Sequence, residues 1–256
     1  MSELKALIFD CDGVLAETER DGHRVAFNAA FKALGLETEW DDKTYGELVL
    51  VSGGKERMKR YFSAHPEQVP AGVSLDELIV QLHVEKTRLF AEMSAGGALP
   101  VRAGINRLID EAHAAGVKLA VCTTSNIKSV TALMNAILGP ERTAWFDQIL
   151  AGDIVKVKKP APDIYLMASE LLEVPAENCF VVEDTNNGLT AAKAAGMACL
   201  VTLSHYSAEE DISMSDLAVN TLGDPGLEPI EIVKPHPAVS ADTAYITLNE
   251  LRNMLA

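Results

Sequence analysis

The stretch Leu4-Lys5-Ala6-Leu7-Ile8-Phe9-Asp10-Cys11-Asp12-Gly13-Val14 decides the fold of this chain. Its apolar run is rich in Leu, Ile and Phe and ends at a glycine turn, which predicts a strand buried on both faces of a parallel sheet. Asp10 and Asp12 then lie at the carboxyl end of that strand, the edge where open α/β sheets bind ligands. Asp and Gly also end strands without any function, so both interpretations stay open at this point.

Composition narrows the class of protein. The 256 residues are 48% hydrophobic, and strand and helix patterns alternate, which predicts an α/β chain of one domain with an insertion, or two domains. A formal net charge of -15 disfavours nucleic acid and anionic membranes as partners. Without a basic signal region or an apolar run of about 20 residues, we expect a cytoplasmic protein. The four cysteines, with no CxxC spacing, are expected to be reduced core residues.

Residues 15–95 carry helical patterns and no convincing strand. Four amphipathic segments follow one another, and they cover Phe27–Leu34, Tyr45–Val49, Met58–Phe62 and Ser74–Met93. Ser74 and Glu77 predict a capping box at the start of the last one. Four helices are too many for one crossover, so we predict that they form a bundle of their own.

These patterns predict two domains. The α/β core would comprise residues 1–14 and 97–256, and the helical cap residues 15–96. The turn Gly13–Leu15 and the pair Gly96-Gly97 would form a double linker on which the cap hinges over the acidic residues.

Strands and helices alternate after Pro100. The predicted strands cover residues 117–122, 146–151, 179–182 and 198–201, with a weaker one near 217–219. Four prolines between residues 224 and 237 exclude regular structure over much of that span. Thr247 and Glu250 predict the cap of a short final helix.

Four segments of the core offer chemical groups at strand ends or in loops. They are Asp10 with Asp12, Thr123–Asn126, Lys159, and Glu183 with Asp184. If these strands lie side by side, the groups meet at one edge, where packed carboxylates require a cation. Oxygen ligands suit Mg²⁺, and hydroxyls at a helix start with a lysine suit a phosphoryl group. The pattern indicates phosphoryl transfer with a carboxylate nucleophile.

In order and separation, these segments resemble the four motifs of the haloacid dehalogenase superfamily of phosphohydrolases. The resemblance extends to about Gly223, and the inserted bundle resembles the helical-cap class of that superfamily. It implies a doubly wound parallel sheet with a Rossmann-like core.

The resemblance also implies roles for the core residues. Asp10 would attack phosphorus, and Asp12 would protonate the leaving oxygen and then deprotonate water. Mg²⁺ would be held by Asp10, the backbone carbonyl of Asp12 and Asp184, with Glu183 nearby. The residues expected to hold the phosphoryl group or substrate are Thr123, Thr124, Ser125, Asn126 and Lys159.

Two segments, residues 12–24 and 51–57, look most like the CbbY-type sugar phosphatases. These are linked to Rubisco because they remove its inhibitor xylulose-1,5-bisphosphate, and we expect no direct contact with Rubisco. A second phosphate needs its own cations and backbone donors. The cap residues expected to bind substrate are Glu17, His23, Arg24, Gly53, Gly54, Lys55 and Arg57, although each charged one also fits a solvated surface position.

Three alternatives remain open from sequence. A β-phosphoglucomutase shares the motifs and Thr18, but would carry an arginine directly after Ser52. A phosphoglycolate phosphatase needs fewer cap cations. A phosphoryl-receiver module would place its acids differently and lack the long insertion. The sequence does not define the oligomeric state, and a monomer is favoured.

Overall fold

The computed structural model describes residues 3–96 and 99–255, and a seven-stranded sheet forms its centre. The strands are β1 (Ala6–Phe9), β2 (Lys118–Thr123), β3 (Gln148–Ala151), β4 (Cys179–Glu183), β5 (Ala198–Thr202), β6 (Leu217–Val219) and β7 (Ile232–Lys234). Their spatial order is β3-β2-β1-β4-β5-β6-β7, and the first six run parallel. The chain winds outward from β1 in both directions, so the carboxyl end of β1 lies at the switch point where such sheets bind ligands.

Four of the α-helices between β1 and β2 belong to the predicted cap. They are α1 (Arg24–Ala33), α2 (Asp42–Val49), α3 (Gly54–Ala64) and α4 (Leu75–Ala95). Their buried faces form an apolar cluster separate from the two on the sheet, with Trp40 at its centre and the rings of Phe27 and Phe31 each 4.9 Å from it. The predicted capping box of Ser74 and Glu77 begins α4.

Helices cover both faces of the sheet. The remaining ones are α5 (Ile105–Ala114), α6 (Ile127–Ile137), α7 (Gly139–Thr143), α8 (Asp163–Leu172), α9 (Asn186–Ala194) and α10 (Leu248–Leu255). Side chains of β1 alternate between the faces: Leu7 and Phe9 pack with α5, α6 and α10, whereas Ala6 and Ile8 pack with α8 and α9. The predicted doubly wound α/β fold is therefore confirmed, including the weak strand β6 and the final helix.

One strand was missed. The prolines between residues 224 and 237 led us to expect little regular structure there, yet β7 lies between Pro229 and Pro235. It pairs antiparallel with β6 at the edge of the sheet. Prolines are tolerated at strand ends on a sheet edge because no second neighbour needs their missing N–H group.

The two linkers between core and cap lie side by side. Ala16 forms bridges with Asp12 and Val101, and the Arg102 N–H donates to the Leu15 carbonyl at 2.9 Å. Of the predicted hinge pair, Gly97 lies outside the described residues, as does Ala98. We propose the boundaries predicted above, residues 15–96 for the cap and the rest for the core.

No described helix combines the length and the apolar character needed to cross a membrane.

Candidate active site

A cavity lies between the cap and the carboxyl edge of the sheet. The predicted site residues that line it are Asp10, Asp12, His23, Gly53, Gly54, Arg57, Thr123, Thr124, Ser125, Lys159 and Asp184. Its volume is about 90 Å³. The cap is closed over it, since cap residues Lys55 and Asp42 bond to Asp153 and Tyr206 of the core.

Strand register places Asp10 between two partners. Phe9 pairs with Val121 on β2 and Val182 on β4, so the next residue, Asp10, lies beside the ends of both strands. Lys159 Nζ reaches the same point, 2.6 Å from Asp10 Oδ1 and 2.8 Å from the Cys122 carbonyl oxygen. Burial raises the pKa of Asp10 to about 8, against the lowering effect of Lys159.

Glu183 lies next to Asp10 and Lys159, and both of its carboxylate oxygens accept hydrogen bonds. Its Oε1 accepts from Lys159 Nζ at 2.5 Å and from the Tyr165 hydroxyl, and its Oε2 accepts from the Asp184 N–H at 3.1 Å. A Cβ at Gly188 would stand 1.9 Å from the carboxyl carbon, so only glycine leaves room for Glu183 there. This position suits a residue that orients Lys159.

Carboxylate oxygens of Asp10, Glu183 and Asp184 lie within 4.8 Å of one another. Burial raises the pKa of Asp184 well above its ordinary value, and the charges of Glu183 and Asp10 add to that effect. Lys159 is the one ammonium that bonds to this cluster within the described part of the chain. One ammonium cannot hold three buried carboxyl groups in the ionised form, so a second cation is needed, and the oxygen donors match those that Mg²⁺ prefers. The residues present therefore fit a magnesium ion.

Asp12 accepts hydrogen bonds from three directions. Thr18 and His23 bond to Oδ1, the His23 Nε2 contact measuring 2.9 Å, and the Ser125 hydroxyl bonds to Oδ2. Burial would raise the pKa of Asp12, but His23 together with the Ser125 and Thr18 hydrogen bonds lowers it below its ordinary value. Asp12 is thus held as a carboxylate facing the cavity.

Lys86 on α4 lines the cavity and was missed from sequence. Its Nζ lies 2.8 Å from His23 Nδ1 and over the rings of Phe27 and Phe90, at 4.8 and 5.1 Å from their centroids. Burial lowers its pKa to about 8. A protonated lysine can only donate a hydrogen bond, so His23 Nδ1 is the acceptor. The ring proton of His23 is therefore on Nε2, which donates a hydrogen bond to Asp12. The sequence did contain one indication that Lys86 is buried: it lies four residues after Leu82, on the apolar stripe of α4.

Arg57 is buried in the cap wall of the cavity. Its guanidinium lies 3.1 Å from Glu19 Oε2 and contacts the Tyr45 hydroxyl, which also bonds to Glu19. Burial would lower the pKa of Arg57, and the Glu19 carboxylate outweighs this and raises it. Glu19 and Tyr45 have ordinary helix-forming positions in the sequence, and no pattern there singles them out.

Five residues predicted for the site lie off the cavity lining: Glu17, Arg24, Lys55, Asn126 and Glu183. Asn126 caps α6 by accepting from the Lys128 N–H. Lys55 Nζ bonds to Asp153 Oδ2 of the core at 2.6 Å and is 41% exposed. The prediction that Lys55 binds the second phosphate has no support in this closed arrangement, because helix α3 directs it at the core surface.

A core loop after β5 adds further lining residues that the sequence did not indicate. Ser204, Tyr206, Ser207 and Glu210 border the cavity. The Tyr206 hydroxyl donates to Asp42 of the cap at 2.7 Å. This loop therefore contacts the cap and the reacting edge of the sheet together.

Comparisons with known proteins agree with this geometry. A profile of the haloacid dehalogenase-like hydrolases matches residues 4–196. A CbbY-like protein of Arabidopsis thaliana is 48% identical over 230 residues, covering 89% of this chain and 72% of the plant protein. CbbY from Rhodobacter sphaeroides in complex with phosphate has a TM-score of 0.81 at 43% identity, covering 87% of this chain and 96% of that one. A mutant of that bacterial protein in complex with xylulose-1,5-bisphosphate has a TM-score of 0.80 at 42% identity, over the same shares of the two chains.

The matched region contains the buried carboxylates, the lysine between them and the inserted cap. The chain therefore belongs to the haloacid dehalogenase-like hydrolases, within which it is a phosphatase of the CbbY type.

Proposed function

We propose that this protein is a Mg²⁺-dependent phosphatase that converts xylulose-1,5-bisphosphate to xylulose-5-phosphate through an aspartyl-phosphate intermediate. The observation that carries the proposal is that charged groups from the core and from the cap line the same cavity. The core supplies Asp10, Lys159 and Asp184, and the cap supplies the buried cations Arg57 and Lys86. One set suits a reacting phosphoryl group, and the other suits a second anionic group on the same substrate.

Asp10 is the proposed nucleophile. Its carboxylate forms a bond to phosphorus as the bond from phosphorus to the sugar oxygen breaks, and the attack of water on phosphorus then regenerates the carboxylate. Lys159, 2.6 Å from Asp10, places a positive charge where the phosphoryl oxygens gather charge. Asp10, Asp184 and the Asp12 carbonyl would hold Mg²⁺, which neutralises the carboxylates and the phosphoryl oxygens when bound.

Asp12 is the proposed general acid and base. The first step needs its protonated form, whereas the structure holds it ionised through His23, Thr18 and Ser125. An arriving phosphate dianion raises the pKa of a neighbouring carboxyl by like-charge repulsion, which favours uptake of that proton. Asp12 gives the proton to the leaving sugar oxygen and takes one back from the attacking water.

The second phosphate is assigned to the cap wall. Lys86 is the best placed cation, because no carboxylate of the described residues lies within ion-pair distance of it, whereas Arg57 is already paired with Glu19. The hydroxyls of Thr124 and Ser125 and the backbone at Gly53 and Gly54 are assigned to the sugar and its phosphates.

Phosphate release tests the proposal directly. The purified protein with Mg²⁺ is offered xylulose-1,5-bisphosphate, xylulose-5-phosphate, 2-phosphoglycolate and β-glucose-1-phosphate, with Asp10→Asn as the control. We expect phosphate release to be fastest from the bisphosphate, and turnover to fall more than about 10³-fold in the control, which lacks the nucleophile. Formation of glucose-6-phosphate would indicate a mutase, and preference for phosphoglycolate would overturn the assigned substrate.

A cellular role follows from this chemistry. Removal of xylulose-1,5-bisphosphate would protect Rubisco from inhibition without any contact between the two proteins. We place this activity in the cytoplasm.

A further inference from the structure

Arg102 follows the linker that returns from the cap, and its side chain is 10% exposed. Its two terminal nitrogens make four hydrogen bonds, all to backbone carbonyls. Nη1 donates to the carbonyls of Gly13 and Thr202, and Nη2 donates to those of Leu203 and Asn220, at 2.7 and 2.9 Å. Nε lies 3.6 Å from Glu17 Oε1. Arg102 thus has one ion pair, with a half-exposed carboxylate, while all its hydrogen bonds go to backbone carbonyls.

The four carbonyls come from three chain segments. Gly13 forms the turn after Asp12, Thr202 ends β5 with Leu203 directly after it, and Asn220 follows β6. The planar fork of one arginine thus fixes the spacing of three strand ends at the carboxyl edge of the sheet.

Two of these segments enclose the Asp184 carboxylate. Ser204, the residue after Leu203, donates from Oγ to Asp184 Oδ2 at 2.7 Å. On the other side, a Cβ added at Gly13 would stand 2.0 Å from the same oxygen, so the Gly13 backbone lies against it. Arg102 bonds to the Gly13 carbonyl and to the carbonyl directly before Ser204.

We propose that Arg102 is a positioning residue that holds the Asp184 carboxylate in the place required for magnesium, through Gly13 on one side and Ser204 on the other. This inference rests on the proposed function, in which Asp184 is a magnesium ligand. Arg102 itself lies off the cavity and touches neither metal nor substrate. Hydrogen-bond partners of ligand side chains typically change metal affinity by about 10- to 100-fold when removed.

The nearby Arg107 provides a matched control. It also binds a backbone carbonyl, Gly223 at 2.7 Å, and pairs with Asp224 and Glu111 at 3.1 and 2.9 Å. Among the described residues, none of these partners lines the cavity. Loss of Arg107 therefore removes similar structural contacts without reaching Asp184.

The test is calorimetric titration of the full chain with Mg²⁺ alone, in wild type, Arg102→Lys, Arg102→Gln, Ser204→Ala and Arg107→Gln. We expect the dissociation constant for Mg²⁺ to rise about 10-fold or more in both Arg102 variants and in Ser204→Ala. Arg107→Gln lowers the melting temperature and leaves that constant unchanged. Arg102→Gln raises the dissociation constant by a smaller factor in the Ser204→Ala background than in wild type, because both residues act on the Asp184 carboxylate.

Other results would contradict either the role of Arg102 or the proposed function. If wild type binds Mg²⁺ and Arg102→Lys binds it equally well, Arg102 does not position Asp184. If Arg107→Gln loses as much affinity as Arg102→Gln, the effect is general destabilisation and the inference is wrong. If Arg102→Gln fails to fold, Arg102→Lys and Ser204→Ala still test the same path, and unchanged affinity in both overturns it. A wild type that does not bind Mg²⁺ refutes the proposed function instead.

Discussion

Asp10 combines burial with three carboxyl neighbours, and this sets how the site responds to pH. Without metal its pKa is raised from 3.8 to about 8, chiefly by burial, so it holds a proton at neutral pH. A magnesium ligand must be ionised, so binding has to expel that proton. The folded protein also binds more protons than the unfolded chain between these pKa values, so this group makes the metal-free fold less stable as pH rises from about 4 to 8.

We therefore expect Mg²⁺ to bind more tightly as pH rises from about 6 to 8 and to release protons at pH 7. Calorimetry in two buffers of different ionisation enthalpy measures that release. Asp10→Asn is the control and should release fewer protons. An affinity that stays constant across this pH range would contradict the assignment of Asp10 as a ligand.

A substitution at Lys86 should change the stability of the fold and the enzyme activity in different ways. Its ammonium is buried over two phenylalanine rings, and burial lowers its pKa to about 8. Methionine matches its length without the charge, so Lys86→Met should leave the free energy of unfolding unchanged or raise it by about 1 kcal/mol. Loss of a charge-assisted hydrogen bond should lower kcat/KM about 10- to 100-fold.

Denaturant unfolding and steady-state kinetics measure the two effects. Lys59→Met is the matched control, since Lys59 is an exposed cap lysine whose partner Asp76 is also in the cap. Full activity in Lys86→Met would show that the buried ammonium is only a structural feature of α4.

At the scale of elements, ion pairs join the start of α3 to the core loop after β3. Lys55 and Lys158 bond to Asp153 at 2.6 and 3.0 Å, and Lys158 bonds to Glu56 at 2.7 Å. Hydrogen bonds from Lys55 and then Lys158 lower the pKa of Asp153 to about 2. The Lys55–Asp153 and Lys158–Glu56 pairs cross from cap to core, so they stabilise the closed cap.

Asp153→Asn should shift the cap towards its open position and raise KM about 2- to 5-fold, since exposed pairs contribute about 0.2–1 kcal/mol each. The rise of KM with salt should also be smaller than in wild type, because screening weakens the pairs that this variant lacks. Kinetics at low and high salt measure both effects. Asp76→Asn breaks a pair within the cap and should behave as wild type; equal changes in the two variants would contradict the role given to Asp153.

Elements with strong local signals were predictable, and those that depend on neighbours were not. The buried run of β1 and the capping box of α4 are properties of their own residues. Strand β7 has three residues and exists because β6 offers it a free edge. Its β-branched run, Ile232-Val233, is short and stands between two prolines, which argue against a strand when the neighbouring edge is unknown.

At the scale of the whole molecule, the cap has its own apolar cluster around Trp40, and Trp145 packs against the core. Phe31 is fully buried beside Trp40. Phe31→Ala should therefore destabilise the cap by about 3–5 kcal/mol and leave the core little changed.

Tryptophan fluorescence follows the two parts separately, in a Trp145→Phe background for the cap and a Trp40→Phe background for the core. We expect Phe31→Ala to lower the denaturant midpoint of the Trp40 signal more than that of the Trp145 signal. Phe180→Ala, buried in the core cluster, is the reciprocal control. Equal shifts of both signals would mean that cap and core unfold as one unit.

The sequence by itself determined the α/β class, the inserted helices and the residues Asp10, Asp12, Lys159 and Asp184. The class and the helices follow from hydrophobic period, the three acids from their place at strand ends, and Lys159 from its loop in the order of the motifs. The tertiary structure alone decided that Lys86 faces the cavity while Lys55 faces the core, and that Arg102 joins three strand ends. The direction of a long cation on a helix depends on what packs against that helix, and here those partners come from distant parts of the chain.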